Sequence, residues 1–269
     1  MIADIKVGIQ GWDHPEWVGR SYPTNISSSE WLIQYARRFP TVEINDTFYG
    51  LPPEPVVRRW RDSVQSGFVF APKAPQQITH EQRFATGGGL LKRFLDRVSL
   101  LEDKLGPILL VAPPGFLPDD DSKAVLHRFV EQLPSDFSWA LELKHIGWYT
   151  DEVHDLLAHR NVATVTGESR WVRRPSMLEL TERPTAKFAY VRWNNLVEEK
   201  SRPVHPDITE NIAAIWEESL VRLCGLVSHV YGYFHARAYG DGLRSAKDLQ
   251  YSIGERRLEA SVSVDREPR

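Results

Sequence analysis

Short apolar runs recur along the chain, each ending on a charged or polar position and each followed by a stretch with helical spacing. Thr41-Val42-Glu43-Ile44-Asn45 sets a carboxylate between Val42 and Ile44. Phe68-Val69-Phe70-Ala71-Pro72-Lys73 ends on a lysine, Ala140-Leu141-Glu142-Leu143-Lys144-His145 carries a second carboxylate, and Phe188-Ala189-Tyr190-Val191-Arg192 ends on an arginine. The carboxyl ends of parallel strands lie on one side of their sheet, where ligands bind. The pattern therefore predicts that these charges converge on one pocket.

Strand and helix signals alternate through the whole chain. Strand one is expected near residues 4–10, followed by the loop Gly11-Trp12-Asp13-His14-Pro15 and a helix near 28–39, where Ser27 and Glu30 have capping-box spacing. Strand two covers about 41–45, and its helix opens on Pro53 and repeats Val56, Val57, Trp60 and Val64. Strand three, near 67–73, leads through a long loop to a helix with Leu91, Phe94, Leu95, Val98 and Leu101. Strand four, Pro107 to Val111, stops at Pro113-Pro114 and precedes a helix with Leu126, Phe129 and Val130. Strand five (137–143), strand six (162–166), strand seven (186–193) and strand eight (227–234) complete the series, with a last helix near 243–251. Residues 167–185 lose the helical period, so the helix after strand six is expected to be missing or shortened, replaced by an irregular loop near the pocket mouth. Eight strand–helix units predict one α/β domain over 1–253, a single (β/α)8 TIM-type barrel, with 254–269 as a polar, frayed tail.

Composition narrows the function classes. With 42% hydrophobic and 26% charged residues the chain has an ordinary globular make-up. A net charge of −3 gives no global attraction to nucleic acid or membranes, so nucleic-acid binding would rest on a local basic patch alone. The lone Cys224 excludes an internal disulfide and a cysteine-based zinc cluster, and its place at the end of an apolar helix pattern marks a buried structural thiol. No signal-peptide pattern and no run of 18 apolar residues are evident, which predicts a cytoplasmic protein without a membrane span.

Several segments resemble a known family. Gly8-Ile9-Gln10-Gly11-Trp12, Tyr22-Pro23 and the distinctive Thr41-Val42-Glu43-Ile44-Asn45-Asp46-Thr47-Phe48-Tyr49 are similar to the YecE-like family, domain of unknown function seventy-two. Lys73 with Ile78-Thr79-His80, Pro113-Pro114-Gly115-Phe116, Glu142-Leu143-Lys144-His145 with Trp148, and Tyr190-Val191-Arg192 continue the match in order. The resemblance implies a (β/α)8-type barrel and no established activity. The chain departs from the family pattern at Lys144, where arginine is usual, at Asn194-Asn195 in place of a His-Gly pair, at His235-Ala236 after the last strand, and at Ser245. The strand-seven and strand-eight side of the pocket is therefore expected to be rebuilt.

Glu43 and Glu142 alternate with apolar neighbours, so each faces either the lumen or the helix layer, and the cost of burying a carboxylate under helices favours the lumen. Two such groups can divide acid and base roles, or form a structural ion pair with Lys73 or Arg192. Lys73, His80, Lys144, His145, Arg192 and Arg237 would form a cationic collar suited to a phosphate- or carboxylate-bearing ligand. The candidate catalytic set is Glu43, Lys73, His80, Glu142 and Arg192. Trp12, Asn45, Tyr49, Thr79, Trp148, Asn195 and His235 join Lys144, His145 and Arg237 as binding candidates, with Trp193 a further aromatic at a strand end. Trp60 and Trp216 are assigned to the core. Gly87-Gly88-Gly89 reads as a flexible loop, and Gly240-Asp241-Gly242 is the better-placed phosphate cradle. No cofactor is implied. A divalent metal would need ligands gathered from separate strands, such as His14, His80, His145, His235 and the two glutamates. The leading expectation is a metal-independent enzyme using acid–base or hydrolytic chemistry on a small anionic substrate. A metal-assisted hydrolase or nuclease-like enzyme and a non-catalytic ligand- or nucleic-acid-binding barrel are the alternatives.

Overall fold

A computed structural model describes residues 3–85, 89–194, 212–237 and 241–264. The strands are β1 (Asp4–Gln10), β2 (Thr41–Ile44), β3 (Val69–Pro72), β4 (Ile108–Val111), β5 (Trp139–Glu142), β6 (Val162–Glu168), β7 (Phe188–Trp193) and β8 (His229–Phe234). The helices are α1 (Trp31–Ala36), α2 (Asp46–Tyr49), α3 (Glu54–Asp62), α4 (Gly89–Val98), α5 (Asp120–Glu131), α6 (Asp151–His159), α7 (Arg174–Leu180), α8 (Ile212–Leu226) and α9 (Gly242–Val264). The strands are parallel in the order β3-β2-β1-β8-β7-β6-β5-β4. The seam between β3 and β4 is closed by two bridges, Phe70 with Leu105 and Lys73 with Leu109, and by the Ala74 N–H donating to the Leu109 carbonyl at 2.8 Å. The result is the expected single (β/α)8 barrel.

Alternation along each strand sorts the side chains. Val42 and Ile44 pack outward with Phe39 and Val57, whereas Ala71, Leu109, Val111, Ala140, Ala163, Val165, Phe188, Tyr190 and Tyr233 fill the lumen. Pattern and packing also agree at the first helix entry, where the Ser27 N–H donates to the Glu30 carboxylate at 3.0 Å. Trp216 and Cys224 are buried in the outer layer, as their helical spacing predicts.

The helix after β6, expected to be missing or shortened, is present in shortened form. β6 runs on to Glu168, and α7 then makes about two turns, so the helix is shortened rather than absent. Pro175 suits its first turn, and Arg174 clamps it by donating from Nε and Nη2 to Glu168 at 2.6 and 3.1 Å. Trp216 Nε1 donates to the same carboxylate at 2.8 Å, tying α7 to α8. Within α7 itself only Met177 is buried, which is why no apolar period shows in the sequence. The last helix also differs from expectation, continuing to Val264 rather than ending near 251. No described helix is long and apolar enough to cross a membrane.

Candidate active site at the barrel mouth

Each gathered charge comes from a strand end. Glu43 on β2 is fully buried, and Arg192 on β7 meets it with two bonds, Nε to Oε2 at 2.9 Å and Nη2 to Oε1 at 2.8 Å. Arg192 Nη1 donates to Glu142 on β5, and the Tyr190 hydroxyl donates to Glu43 at 2.9 Å. One guanidinium thus joins two carboxylates inside the lumen, using the planar fork that only arginine offers. Gly167 makes room for this. It pairs with Arg192 across β6 and β7 at φ +134°, and a Cβ there would lie 1.9 Å from the Arg192 carbonyl oxygen.

The electrostatics follow from burial and pairing. Burial pushes the Glu142 carboxyl up, but Arg192 and Lys144 together hold it below the ordinary range. Burial works against the Arg192 charge, yet Glu43 and Glu142 raise its pKa above the usual value. Burial and the neighbouring Glu43 raise the Tyr190 hydroxyl, keeping it a donor.

Above the triad stand two lysines with a different environment. Lys73, at the end of β3, places Nζ 3.7 Å over the Phe48 ring, and Lys144, beyond β5, places Nζ 5.9 Å over Trp171. Among the described residues neither ammonium has a carboxylate within salt-bridge reach. Burial and the nearby Arg192 lower Lys73 to about 8, the attraction of Glu43 and Glu142 notwithstanding. Burial is also the main cause of the lowered Lys144. Glu43 and Glu142 against Arg192, Lys73 and Lys144 leave one net positive charge on these five groups when both lysines are protonated.

His80 sits on a π-helical turn (Gln77–Glu81) after β3, its ring 5.0 Å from Phe48 and its Nδ1 2.8 Å from the Thr79 hydroxyl. Burial, Lys144 and Lys73 lower its pKa to about 4, so the ring is neutral at physiological pH. The one-turn α2 carries both Phe48 and Tyr49, whose ring is 71% exposed beside Phe48. Trp171, 38% exposed, stands on the opposite side, because the β2 and β6 ends are four strands apart in either direction around the barrel. Sequence reasoning missed Phe48, Trp171, Tyr190 and Gln10. Gln10 Nε2 donates to the Asn194 amide oxygen at 2.5 Å across the lumen rim. A signal was present, since Tyr190 and Gln10 share the lumen-facing parity of Arg192 and Gln10 closes β1.

Other expected site residues lie elsewhere or play another part. Trp148 is fully buried, stacked on Phe116 at 5.0 Å with its N–H on the Phe116 carbonyl, so it belongs to the core behind β5. Trp12 packs edge-on against Trp60 of α3, and Trp193 faces the helix layer between Trp216 and Phe234. Gly232 leaves Trp193 that room, since a Cβ there would come within 2.7 Å of the ring. His145 is exposed and caps the turn 146–148, accepting from Gly147 N–H at 3.1 Å. Asn45 is half-buried at the N-terminal boundary of α2 with no side-chain cap bond, and Arg237 is exposed. His235, half-buried after β8, accepts from the Arg237 N–H at 3.2 Å, and burial with His14, Arg192 and Arg237 lowers its pKa. Asn195, Gly87, Gly88 and Gly240 lie outside the described residues. Among the described residues no three His, Cys, Asp or Glu side chains converge as a metal cage would require.

Two hollows adjoin this region. One of about 10 Å³, room for about one water, touches Glu142, Arg192 and Asn194. A larger cavity of about 260 Å³ lies outside the barrel wall between α6 and α7, over Leu143, Trp148, Leu157 and Leu180. None of the gathered charges lines it.

Comparison with known proteins agrees with this architecture. The chain is 36% identical over 141 residues to the UPF0759 protein YecE of Escherichia coli, a match covering 52% of this chain and 48% of that protein. It is 27% identical over 157 residues to the UPF0759 protein YunF of Bacillus subtilis, covering 56% of this chain and 54% of YunF. The match thus spans about half the length of these curated relatives. A DUF72 family protein from Thermotoga maritima superimposes with a TM-score of 0.78 at 21% identity, covering 93% of this chain and 99% of that one. One from Enterococcus faecalis gives 0.72 at 19% identity, covering 94% and 98%. The family model described as protein of unknown function DUF72 matches residues 6–268, and the chain belongs to that family.

Proposed function

We propose that the barrel mouth is the active site of an enzyme that acts on a small anionic substrate by proton transfer. The observation that carries this reading is the pair Lys73 and Lys144, held near a desolvated Glu–Arg–Glu triad with no carboxylate of their own among the described residues. A structural ion network neutralises its members, because an uncompensated buried charge is expensive. Two lysines left unneutralised at a strand-end mouth fit a role in taking up charge from a ligand. Arg192, whose Nε, Nη1 and Nη2 all face carboxylates, acts in this reading as the keystone that aims Glu43 and Glu142, not as the main anion contact. Neutral His80, bonded to Thr79 and packed on Phe48 with Lys73, is the proton acceptor of the set. Tyr49 and Trp171 would flank the bound molecule.

Calorimetric titration with inorganic phosphate and with citrate tests the anion contact. Lys73→Met and Lys144→Met should each weaken the better-bound anion at least tenfold, about 1.4 kcal/mol, and the double variant should bind neither. Unchanged affinity in both single variants would remove the basis for this reading.

A further inference from the structure

Lys73 differs from Lys144 in a way that bears on the reaction itself. Its Nζ lies on the Phe48 face, near Arg192 and Lys144, and it is partly exposed at the end of β3 where a ligand can reach it. An amine held against an aromatic ring and beside other cations is the setting in which a lysine becomes a nucleophile toward carbonyl carbon. A neutral imidazole, His80, packs on the same ring. We infer that Lys73 forms an imine with its substrate, which narrows the substrate class to anions bearing an aldehyde or ketone group. This inference rests on the anion-binding reading of the same mouth.

The step balances without an outside reagent. The Lys73 ammonium releases a proton to solvent, and the freed Nζ lone pair attacks the carbonyl carbon, forming the C–N bond as the C=O π pair moves to oxygen. That oxygen takes up one proton from solvent and one from nitrogen. The C–O bond then breaks, water leaves, and the nitrogen pair closes the C=N bond. One N–H remains on a positively charged iminium, so charge and atoms are conserved. The iminium withdraws electrons from the neighbouring carbon, which suits lyase-type chemistry. Lys144 is the cation left to hold the substrate's anionic group. The lowered Lys73 pKa of about 8 agrees with this role, since at pH 7 its neutral fraction exceeds that of an ordinary lysine by about two orders of magnitude.

The test uses the full chain with pyridoxal 5′-phosphate and, separately, the smaller glycolaldehyde phosphate, each reduced with sodium borohydride and mapped by mass spectrometry. The expected result is one adduct per chain on Lys73, formed at least tenfold faster than on the exposed Lys92 and absent from Lys73→Met. Excess inorganic phosphate should suppress it, and its rate should rise through pH 8. Labelling of Lys92 at least as fast as Lys73 with both aldehydes overturns the inference, as does an adduct on Lys144 instead. If calorimetry still shows phosphate binding that depends on Lys73, the imine fails while the anion site stands. If phosphate does not bind at all, both readings fail together.

Discussion

Arg192→Met should lower stability by about 3–5 kcal/mol at pH 7, the expected penalty for breaking a buried ion network by removing one partner. The side chain supplies three of the hydrogen bonds that satisfy Glu43 and Glu142, and only the Tyr190 hydroxyl would remain on Glu43 among the bonds described. Methionine fills much of the volume, so the loss reports charge rather than a cavity. The pH dependence identifies the cause. In the wild type, Glu142 has a lowered pKa, so its contribution is present above the unfolded carboxyl pKa of about 4.3 and is lost as pH falls through the lower folded value. In the variant, unpaired burial reverses the direction. The folded carboxyl pKa rises above the unfolded one, and stability falls as pH rises between the two. Urea denaturation should therefore show the gap between variant and wild type narrowing toward pH 4. A gap equal at pH 4 and pH 7 would mean that the network contributes little and that the loss is steric.

Lys73→Met should have the opposite sign and raise stability by about 1–3 kcal/mol at pH 7, which separates a functional lysine from a structural one. Lys73 is shifted down from 10.5 to about 8, so the unfolded chain binds more protons between those values. The penalty is fully present below pH 8 and fades as pH rises to 10.5, and the gain from the substitution should fade over the same window. Replacing a structural collar residue would instead destabilise. The variant is thus expected to be better folded yet deficient in anion binding, an outcome that misfolding cannot produce.

The barrel was legible because its eight strands keep a period of two and finish on charges, a pattern read from Glu43, Glu142 and Arg192 without coordinates. Facing across the lumen was legible too, since parity sends Val42 and Ile44 outward and Glu43 inward. What could not be read was the pairing. Nothing in the order of residues says that one arginine spans two carboxylates 149 and 50 positions away, leaving Lys73 and Lys144 without a carboxylate partner among the described residues. The aromatics failed for a related reason. Trp148 and Trp193 sit beside strand ends in sequence, but Trp148 lies behind β5 and the parity of Trp193 turns it toward the helices, whereas Phe48 reaches the mouth from the one-turn α2 and Trp171 from the loop between β6 and α7. The shortness of α7 was legible in the lost apolar period; the side-chain clamp that fastens it, Glu168 with Arg174, was not.

The titration of Lys73 itself, followed by NMR of its ε-carbon in lysine-labelled protein and assigned with Lys73→Met, reads the site most directly. Alone, Lys73 should titrate near pH 8. Added sulfate, whose charge is constant over that range, should move the midpoint upward, because an anion bound at the ammonium must favour its protonated form. A Lys73 that titrates at the ordinary value of about 10.4 and ignores sulfate would contradict the proposed site.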